Sequence, residues 1–142
     1  MGLRSLRGLL RSHNLVESFK VIIAGGRHFF DYAIVKRVCD HMLKDRKAGT
    51  IEIVSGTCRG ADKLGERYAK ENGYPVKPFP AEWNKLGKSA GHIRNEQMAN
   101  YSDALISFWD GKSSGTKDMI SLARKHELKI KVELVTYTPP KK

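Results

Sequence analysis

The stretch KVIIAGGR, residues 20–27, decides the fold of this chain. A short apolar run that ends in paired glycines is typical of a buried strand followed by a tight turn. Two further runs share this pattern, since 50–54 stops at Ser55 and 103–109 stops at the loop DGKSSG. Each run therefore predicts a strand that ends in a loop rich in glycine and polar residues.

Amphipathic helices are predicted between these strands. Apolar residues recur at helical spacing in two segments, with Val35, Val38, Cys39, Met42 and Leu43 in the first and Ala61, Leu64, Gly65, Tyr68 and Ala69 in the second. Asp31 is a candidate cap of the first helix, and Gly73 ends the second. The other predicted elements are a strand at 75–79, an irregular stretch at 80–91, helices at 92–101 and 116–126, and a strand at 129–135.

This alternation defines the expected fold class. Strands that alternate with helices of about ten or more residues form right-handed crossovers and hence a mostly parallel sheet. We therefore predict an α/β fold, a Rossmann-like three-layer α/β/α sandwich with a mostly parallel five-stranded sheet. The 142 residues fit one domain. We expect it to cover 20–136, between a basic extension at 1–19 and a tail at 137–142.

The composition is that of a globular protein with a basic excess. Apolar residues make up 40% and charged residues 29%, which argues against a disordered chain. Two cysteines are too few for a disulfide scaffold, and no apolar run approaches the roughly 18 residues of a membrane span. The net charge of +11 favours polyanionic partners such as nucleic acid, nucleotides or acidic membrane surfaces, although an ordinary basic surface is the simpler explanation.

The N-terminal stretch MGLRSLRGLLRSHNL carries arginines and no acid. Leu3, Leu6 and Leu10 can share one helical face, which is typical of an organelle transit peptide or a membrane-surface helix. A loose extension or an upstream-start artefact fits equally well. The arginines interrupt any apolar core of a secretory signal, so that class of leader is excluded.

Three loops at the predicted carboxyl ends of strands are candidate ligand contacts, because open parallel sheets bind ligands at that edge, near a topological switch point. Their glycine, arginine and polar residues are Gly25, Gly26 and Arg27 after the first strand, Ser55, Gly56, Arg59, Gly60 and Asp62 after the second, and Ser113, Ser114, Gly115 and Thr116 after the fourth. Glycine lets backbone N–H groups approach a ligand, and helix N-termini and arginines attract phosphate. The three loops together predict one cationic site for an anion, most commonly a nucleotide, whereas tight turns alone would explain any single loop.

Several familiar sites are absent from the sequence. GGRHFF follows the first strand in place of G-x-G-x-x-G, and GTCRGADK lacks the end of G-x-x-x-x-G-K-[ST], which argues against dinucleotide redox chemistry and a Walker-type ATPase. The five histidines and two cysteines lack metal-binding spacing, so we predict no metal site and no cofactor. Cys39 belongs to a core stripe, while Cys58 is either an ordinary loop cysteine or a thiol acidified beside Arg59.

Four segments carry a resemblance to a known family. They are VIIAGGRHFFDY at 21–32, VSGTCRGADKLGERYAKENGYPV at 54–76, AEWNKLGKSAGHIRNEQMA at 81–99 and SDALISFWDGKSSGTKDM at 102–119. Together they resemble the SLOG superfamily of Rossmann-like domains, and within it the small YspA/cpYpsA-related branch of bacteria and their phages. The resemblance implies a cytoplasmic protein, of a bacterium or a phage-infected host, that binds nucleotides or nucleotide-derived small molecules.

The superfamily also includes the Lonely Guy phosphoribohydrolases, which release the base from a nucleoside monophosphate, and the DNA-processing protein DprA. The hydrolase pattern has an arginine before a Ser-Asp-Ala strand and then P-G-G-x-G-T-x-x-E, and Arg94 with the strand matches it. Met119 stands in place of the glutamate, and Asp118 lies one position early, about 100° around a helix. The resemblance thus leaves Arg94 and Asp118 as candidate catalytic residues, with Asp62 or Glu96 as alternative acids, and leaves enzyme activity open.

Trp83 and Asn95 complete the candidate ligand contacts. Trp83 either stacks on a base or anchors its irregular stretch against the core. Asn95 follows Arg94, whose partner is a phosphate, an acid in the site or a surface group. We predict binding, with sensing or processing, of a nucleotide-like ligand. Base hydrolysis and DprA-like nucleic-acid binding are the alternatives, a membrane partner is not expected, and a homo-oligomer is the default assembly.

Overall fold

The structure, a computed structural model, describes residues 18–136 of the chain. The expectations for the arginine-rich N-terminus and for the C-terminal tail fall on 1–17 and 137–142, which lie outside the described residues. Across 18–136, no helix has both the length and the apolar character needed to cross a membrane.

Five strands form one sheet in which every neighbouring pair is parallel. The strands are β1 (Phe19–Gly25), β2 (Ile51–Ser55), β3 (Val76–Pro78), β4 (Ala104–Trp109) and β5 (Lys129–Leu134). Their order across the sheet is β3-β2-β1-β4-β5. The predicted Rossmann-like α/β fold is therefore confirmed, and the sheet is parallel throughout.

Helices cover both faces of this sheet. They are α1 (Tyr32–Leu43), α2 (Ala61–Asn72), α3 (Trp83–Leu86), α4 (Ala90–Tyr101) and α5 (Ser114–Lys125), with 3-10 turns at Ala48–Thr50 and Gly87–Ser89. Val21 and Ile23 of β1 pack with α1 and α2 on one face, while Ile22 packs with α4 and α5 on the other. Burial on both faces explains why β1 is a continuous apolar run rather than an alternating one.

The helix boundaries bear out some predictions and correct others. Asp31 caps α1 as expected, since its Oδ1 accepts a hydrogen bond from the Ile34 N–H at 3.4 Å. Cys39 is fully buried in the core. The prediction for 80–91 is wrong, because this stretch contains α3 and a 3-10 turn, elements too short to show a periodic apolar stripe. The next helix, α4, begins earlier than predicted, at Ala90.

The loops meet where the chain changes direction across the sheet. From β1 the chain moves outward to β2 and β3 and then returns to β4 on the other side of β1, which places the switch point between β1 and β4. Gly26, in the first loop, contacts both β4 and the start of α2. Its N–H donates to the Phe108 carbonyl at 3.3 Å, and its carbonyl accepts from the Ala61 N–H at 3.1 Å. Gly60 makes this approach possible, because its φ is +82° and a Cβ there would lie 2.3 Å from the Gly26 carbonyl oxygen.

The two edge strands differ in length and in chemistry. β3 has the three residues VKP and ends at Pro78. β5 has six residues, KIKVEL, in which the apolar Ile130 and Val132 pack against the core on the α4–α5 face. The charged residues Lys129, Lys131 and Glu133 alternate with them.

Candidate functional site

A pocket of about 650 Å³ opens at the switch point, around the carboxyl ends of β1 and β4. We refer to it as the main pocket. Most of the site residues predicted from the sequence line it, namely Gly25, Gly26, Arg27, Asp62, Trp83, Arg94, Asn95, Ser113, Ser114, Gly115, Thr116 and Asp118. All three predicted loops contribute to its wall, so the expected convergence of the loops is present.

Arg59 does not share the main pocket with Arg27. It is exposed and lines a neighbouring depression of about 380 Å³, which Cys58 and Trp83 also border. Arg27 lines both hollows. The expected single site with two arginines is thus two adjoining hollows, because Arg59 lines the smaller depression and not the main pocket.

Ser55, Gly56 and Gly60 also lie outside the lining of the main pocket, and their contacts support the loops. The Ser55 hydroxyl donates to Oε2 of Glu66 at 2.6 Å and accepts from the Thr57 N–H at 3.0 Å. Gly60 provides the close approach to Gly26 described above. These residues shape the second loop and hold it against the first.

Arg94 is buried, with 8% of its surface exposed, and its guanidinium is bound to the protein itself. It donates to the Gly56 carbonyl at 2.5 Å from Nη1 and to Oδ1 of Asn95 at 3.0 Å from Nε. A Cβ at Gly56 would lie 2.6 Å from Nη1, so this contact requires glycine. The Cys58 sulfur lies 3.8 Å from Nη2. Arg94 therefore links α4 to the second loop through hydrogen bonds that hold its side chain in place.

Asp62 places a buried carboxyl group on another wall of the main pocket. It is 7% exposed, and its Oδ2 accepts a hydrogen bond from the Cys58 N–H at 3.1 Å. Burial raises the pKa of Asp62 to about 6, against the opposing effects of the Cys58 amide and the Arg94 guanidinium. Gly60 occupies the N-cap position of α2, so Asp62 braces the loop rather than capping the helix. A carboxyl group that titrates near neutral pH in a pocket is typical of functional sites.

Asn95 connects Arg94 to Asp118. Its Nδ2 donates to Oδ2 of Asp118 at 3.0 Å and to the Gly115 carbonyl at 3.4 Å. The other oxygen of Asp118, Oδ1, lies 2.9 Å from Nδ1 of His92. Asn95 therefore bridges the two candidate catalytic residues, Arg94 and Asp118. His92 contacts the carboxylate oxygen of Asp118 that Asn95 does not bind.

The N-terminus of α5 forms the part of the wall suited to an anion. Asp110 orders the preceding loop, because its Oδ1 accepts from the N–H groups of Lys112 and Ser113, both at 2.8 Å, and these amides hold the pKa of Asp110 below its usual range. The Ser113 hydroxyl lies 3.2 Å from the Thr116 hydroxyl and makes no capping bond to a backbone amide. The first-turn amides from Ser114 onward are the groups that an α-helix leaves without intrahelical partners.

Arg27 and Trp83 stand at the rim between the two hollows. The guanidinium carbon of Arg27 lies 6.0 Å from the centre of the Trp83 ring. Trp83 is 47% exposed, and its ring edge passes 3.2 Å from where a Cβ on Gly91 would lie. Both side chains remain accessible to a ligand, in contrast to the buried Arg94.

Sequence reasoning missed several side chains that line the main pocket, namely His28, Cys58, Lys88, His92, Met98 and Asp110. The histidines were weighed only as metal ligands, and within 18–136 no group of three or more histidine, cysteine and acidic side chains could hold a metal ion. The available signal for His92 was its place two residues before Arg94, which puts it in the first turn of α4.

The fold and the pocket define a Rossmann-like α/β domain whose main pocket lies at the carboxyl ends of a parallel sheet. Residues 19–86 match the model of the YAcAr family, described as the YspA, cpYpsA-related SLOG family. The SLOG resemblance predicted from the sequence is thereby confirmed. A comparison with curated proteins gives no match for the chain.

Two solved structures of DNA processing protein A (DprA) share the fold. The protein from Streptococcus pneumoniae is 16% identical with a TM-score of 0.64, over 82% of this chain and 50% of that protein. The protein from Helicobacter pylori, whose structure concerns its single-stranded DNA binding mode, is 19% identical with a TM-score of 0.60, over 82% of this chain and 65% of that protein. The chain thus spans between half and two thirds of these relatives, and at such identities the similarity shows the fold alone.

Proposed function

We propose that the chain binds a nucleotide, or a nucleotide-derived small molecule, in the main pocket. The observation that carries this proposal is the placement of the α5 N-terminus and Arg27 on the wall of one pocket at the switch point of the sheet. Its volume of about 650 Å³ is within the range of pockets that bind small molecules.

The phosphate end of the ligand is assigned to the N-terminus of α5. Free first-turn N–H groups and the helix dipole favour an anion there, and Arg27 can approach as a mobile cationic fork. Arg94 is not assigned this role, because it is buried and two of its three guanidinium nitrogens donate to Gly56 and Asn95. Asp110 opposes an anion by its own charge, so the phosphate must be placed on the Ser114–Thr116 side of the turn.

The remaining part of the pocket suits a sugar and a base. Asp62 offers a carboxyl group of the kind that binds ribose hydroxyls, and Met98 adds an apolar surface. The half-exposed ring of Trp83 can stack on a base. These groups line the same pocket as the N-terminus of α5, which supports a mononucleotide as the ligand.

A ligand screen tests this proposal. The full chain is heated with AMP, ADP, ATP, GMP, UMP and inorganic phosphate in separate samples, and the unfolding midpoint is measured. A ligand at about 100 times its Kd adds about 2.7 kcal/mol of stability to the folded state, so at least one nucleotide should raise the midpoint clearly. An equal shift of the midpoint with every nucleotide and with inorganic phosphate, or no shift with any of them, would contradict a specific nucleotide site.

A second candidate function, binding of single-stranded nucleic acid, is favoured by a separate groove of about 680 Å³. In it, the Lys20 ammonium lies 5.3 Å from the centre of the Tyr101 ring, and the Lys77 ammonium lies 5.7 Å from that of Phe79. Aromatic rings beside lysines are typical of surfaces that stack bases and neutralise phosphates. The net charge of +11 supports such a surface.

Oligonucleotide binding at several salt concentrations distinguishes this candidate. If the groove binds a strand, affinity for a labelled deoxythymidine oligomer falls steeply with salt, and K20E/K77E weakens it more than the charge-matched control K44E/K47E on the exposed surface. Equal losses in both double variants would assign the binding to general charge, and no binding would remove this candidate.

A further inference from the structure

Four side chains form an unbroken line of hydrogen bonds from the second loop to the main pocket. Arg94, fixed on the Gly56 carbonyl, donates to Asn95, Asn95 donates to Asp118, and Asp118 meets His92. We call Arg94, Asn95, Asp118 and His92 the polar chain. Arg94 and Asn95 are buried, at 8% and 7% exposure, so the inner half of the polar chain is rigid.

The polar chain also determines the tautomer of His92. Both oxygens of Asp118 are occupied, one by Asn95 and one by Nδ1 of His92. An ionised carboxylate can only accept hydrogen bonds, so Nδ1 carries the hydrogen of that contact. In the neutral imidazole this leaves Nε2 with the lone pair. The His92 side chain is 62% exposed and lines the main pocket, so water and ligand can reach it.

The polar chain connects His92 to the turn of α5 that is proposed to bind the phosphate end of the ligand. Asn95 donates both to Asp118 and to the carbonyl of Gly115, in the first turn of α5. The carboxylate that orients His92 is therefore tied to the same turn that offers amides to a phosphate. Trp83, the candidate contact for the base, does not take part in this network.

We propose that His92 is a general base that activates a water molecule for hydrolysis at the phosphate end of a bound nucleotide, with Asp118 and Asn95 as positioning residues. This inference rests on the proposed nucleotide site and gives it a reaction class, the hydrolysis of phosphate esters or anhydrides. Of the pair expected from the sequence, Asp118 is retained as a positioning residue, and His92 rather than Arg94 acts on the water.

The step balances with water as the co-reactant. The water oxygen forms a bond to phosphorus as one of its protons moves to Nε2 of His92. The bond from phosphorus to the leaving oxygen breaks, and its electron pair stays on that oxygen, which takes a proton from solvent. The imidazolium, stabilised by Asp118, then returns its proton to solvent. Amides of the first turn of α5 stabilise the charge on the phosphoryl oxygens.

The test measures inorganic phosphate released by the full chain from AMP, ADP, ATP and p-nitrophenyl phosphate, with free base followed in the same samples. We expect phosphate release that H92Q lowers about 100-fold or more. The control H41Q changes an exposed histidine on α1, away from both hollows, and should have no effect. Phosphate release that is absent from the wild type, or is unchanged in H92Q, would overturn the inference.

Rescue by a second carboxylate separates positioning from a structural role of Asp118. D118N removes the charge that stabilises the His92 imidazolium and should slow phosphate release, whereas D118E keeps a carboxylate and should restore part of the rate. The other titratable or charged groups on the pocket wall are Arg27, His28, Cys58, Asp62, Lys88, Arg94 and Asp110, and all are unchanged in these variants. A rate in D118E no higher than that in D118N would contradict the positioning role.

The experiments distinguish a failure of the proposed nucleotide binding from a failure of the proposed hydrolysis. A nucleotide that raises the unfolding midpoint without phosphate release leaves the proposed function standing and overturns this inference. Release of free base instead of phosphate would place the chemistry at the glycosidic bond and also overturn it. If no nucleotide binds, the proposed function itself fails.

Discussion

The main pocket has two arginines in opposite states, and the comparison separates architecture from ligand binding. Arg94 is buried and donates to Gly56 and Asn95, whereas Arg27 is exposed at the rim beside Trp83. A buried cation needs partners within the protein and so contributes to rigidity. An exposed cation at a pocket rim is available to a ligand. We therefore expect the inner wall of the pocket to have a structural role and the outer wall to contact the proposed ligand.

The largest expected effect is a loss of stability when Arg94, the buried arginine, is replaced. R94A leaves the Gly56 carbonyl and Asn95 without their buried partner and removes a cation near Asp62, so the free energy of unfolding should fall by about 3 kcal/mol. Urea denaturation measures this. The matched control R59A removes an exposed arginine and should stay within about 0.5 kcal/mol. Similar losses in both variants would mean that the burial of Arg94 has no energetic consequence.

A smaller effect, dependent on pH, is expected from Asp62. Its pKa is about 6 in the folded protein, above the usual value for an aspartate, so between pH 4 and 6 the folded state holds a proton that the unfolded state has lost. This group therefore makes stability fall as pH rises through that window, by up to about 3 kcal/mol, with no further change above it.

Comparison with D62N isolates that contribution. Urea denaturation of both proteins at several pH values should show that the variant gains stability relative to the wild type as pH rises from 4 to 6. Asparagine keeps an acceptor for the Cys58 N–H, so the brace of the loop is retained. A constant difference between the two proteins across this range would refute the raised pKa.

Replacement of Arg27, the exposed arginine, should have the smallest effect on stability. It should nevertheless have a clear effect on ligand binding. R27A should change the free energy of unfolding by less than about 0.5 kcal/mol, because the side chain is exposed. It should weaken binding of the best nucleotide of the panel about tenfold, the loss of roughly 1.4 kcal/mol of charged hydrogen bonding. Calorimetric titration measures both R27A and R59A. If R59A weakens binding as much as R27A, the neighbouring depression belongs to the ligand site.

The fold was predictable because its signals are local and repeated. β1 is buried on both faces, so its sequence is a plain apolar run, and the helices around it show apolar stripes at helical spacing. The short α3 was not predictable, since four residues cannot show a period.

The candidate site was predictable as a set of loops but not as a set of contacts. Glycine and arginine in the loops indicate where a pocket lies, while spacing along the chain does not show that Arg59 lines only the smaller hollow and Arg27 lines both. The burial of Arg94 depends on Gly56, which is 38 residues away in sequence. His92 was missed because its partner, Asp118, is supplied by another helix.

The edges of the sheet restrict how copies of this chain can associate. Within residues 18–136, β3 and β5 are the edge strands along which a strand from another molecule could extend the sheet. β3 offers three residues and ends in a proline, which has no N–H to donate, and β5 carries lysines along its length. Short, proline-bearing or lysine-rich edges discourage continuous sheets between molecules. We therefore expect any self-association to use helical faces, which leaves the carboxyl edge of the sheet open to small molecules.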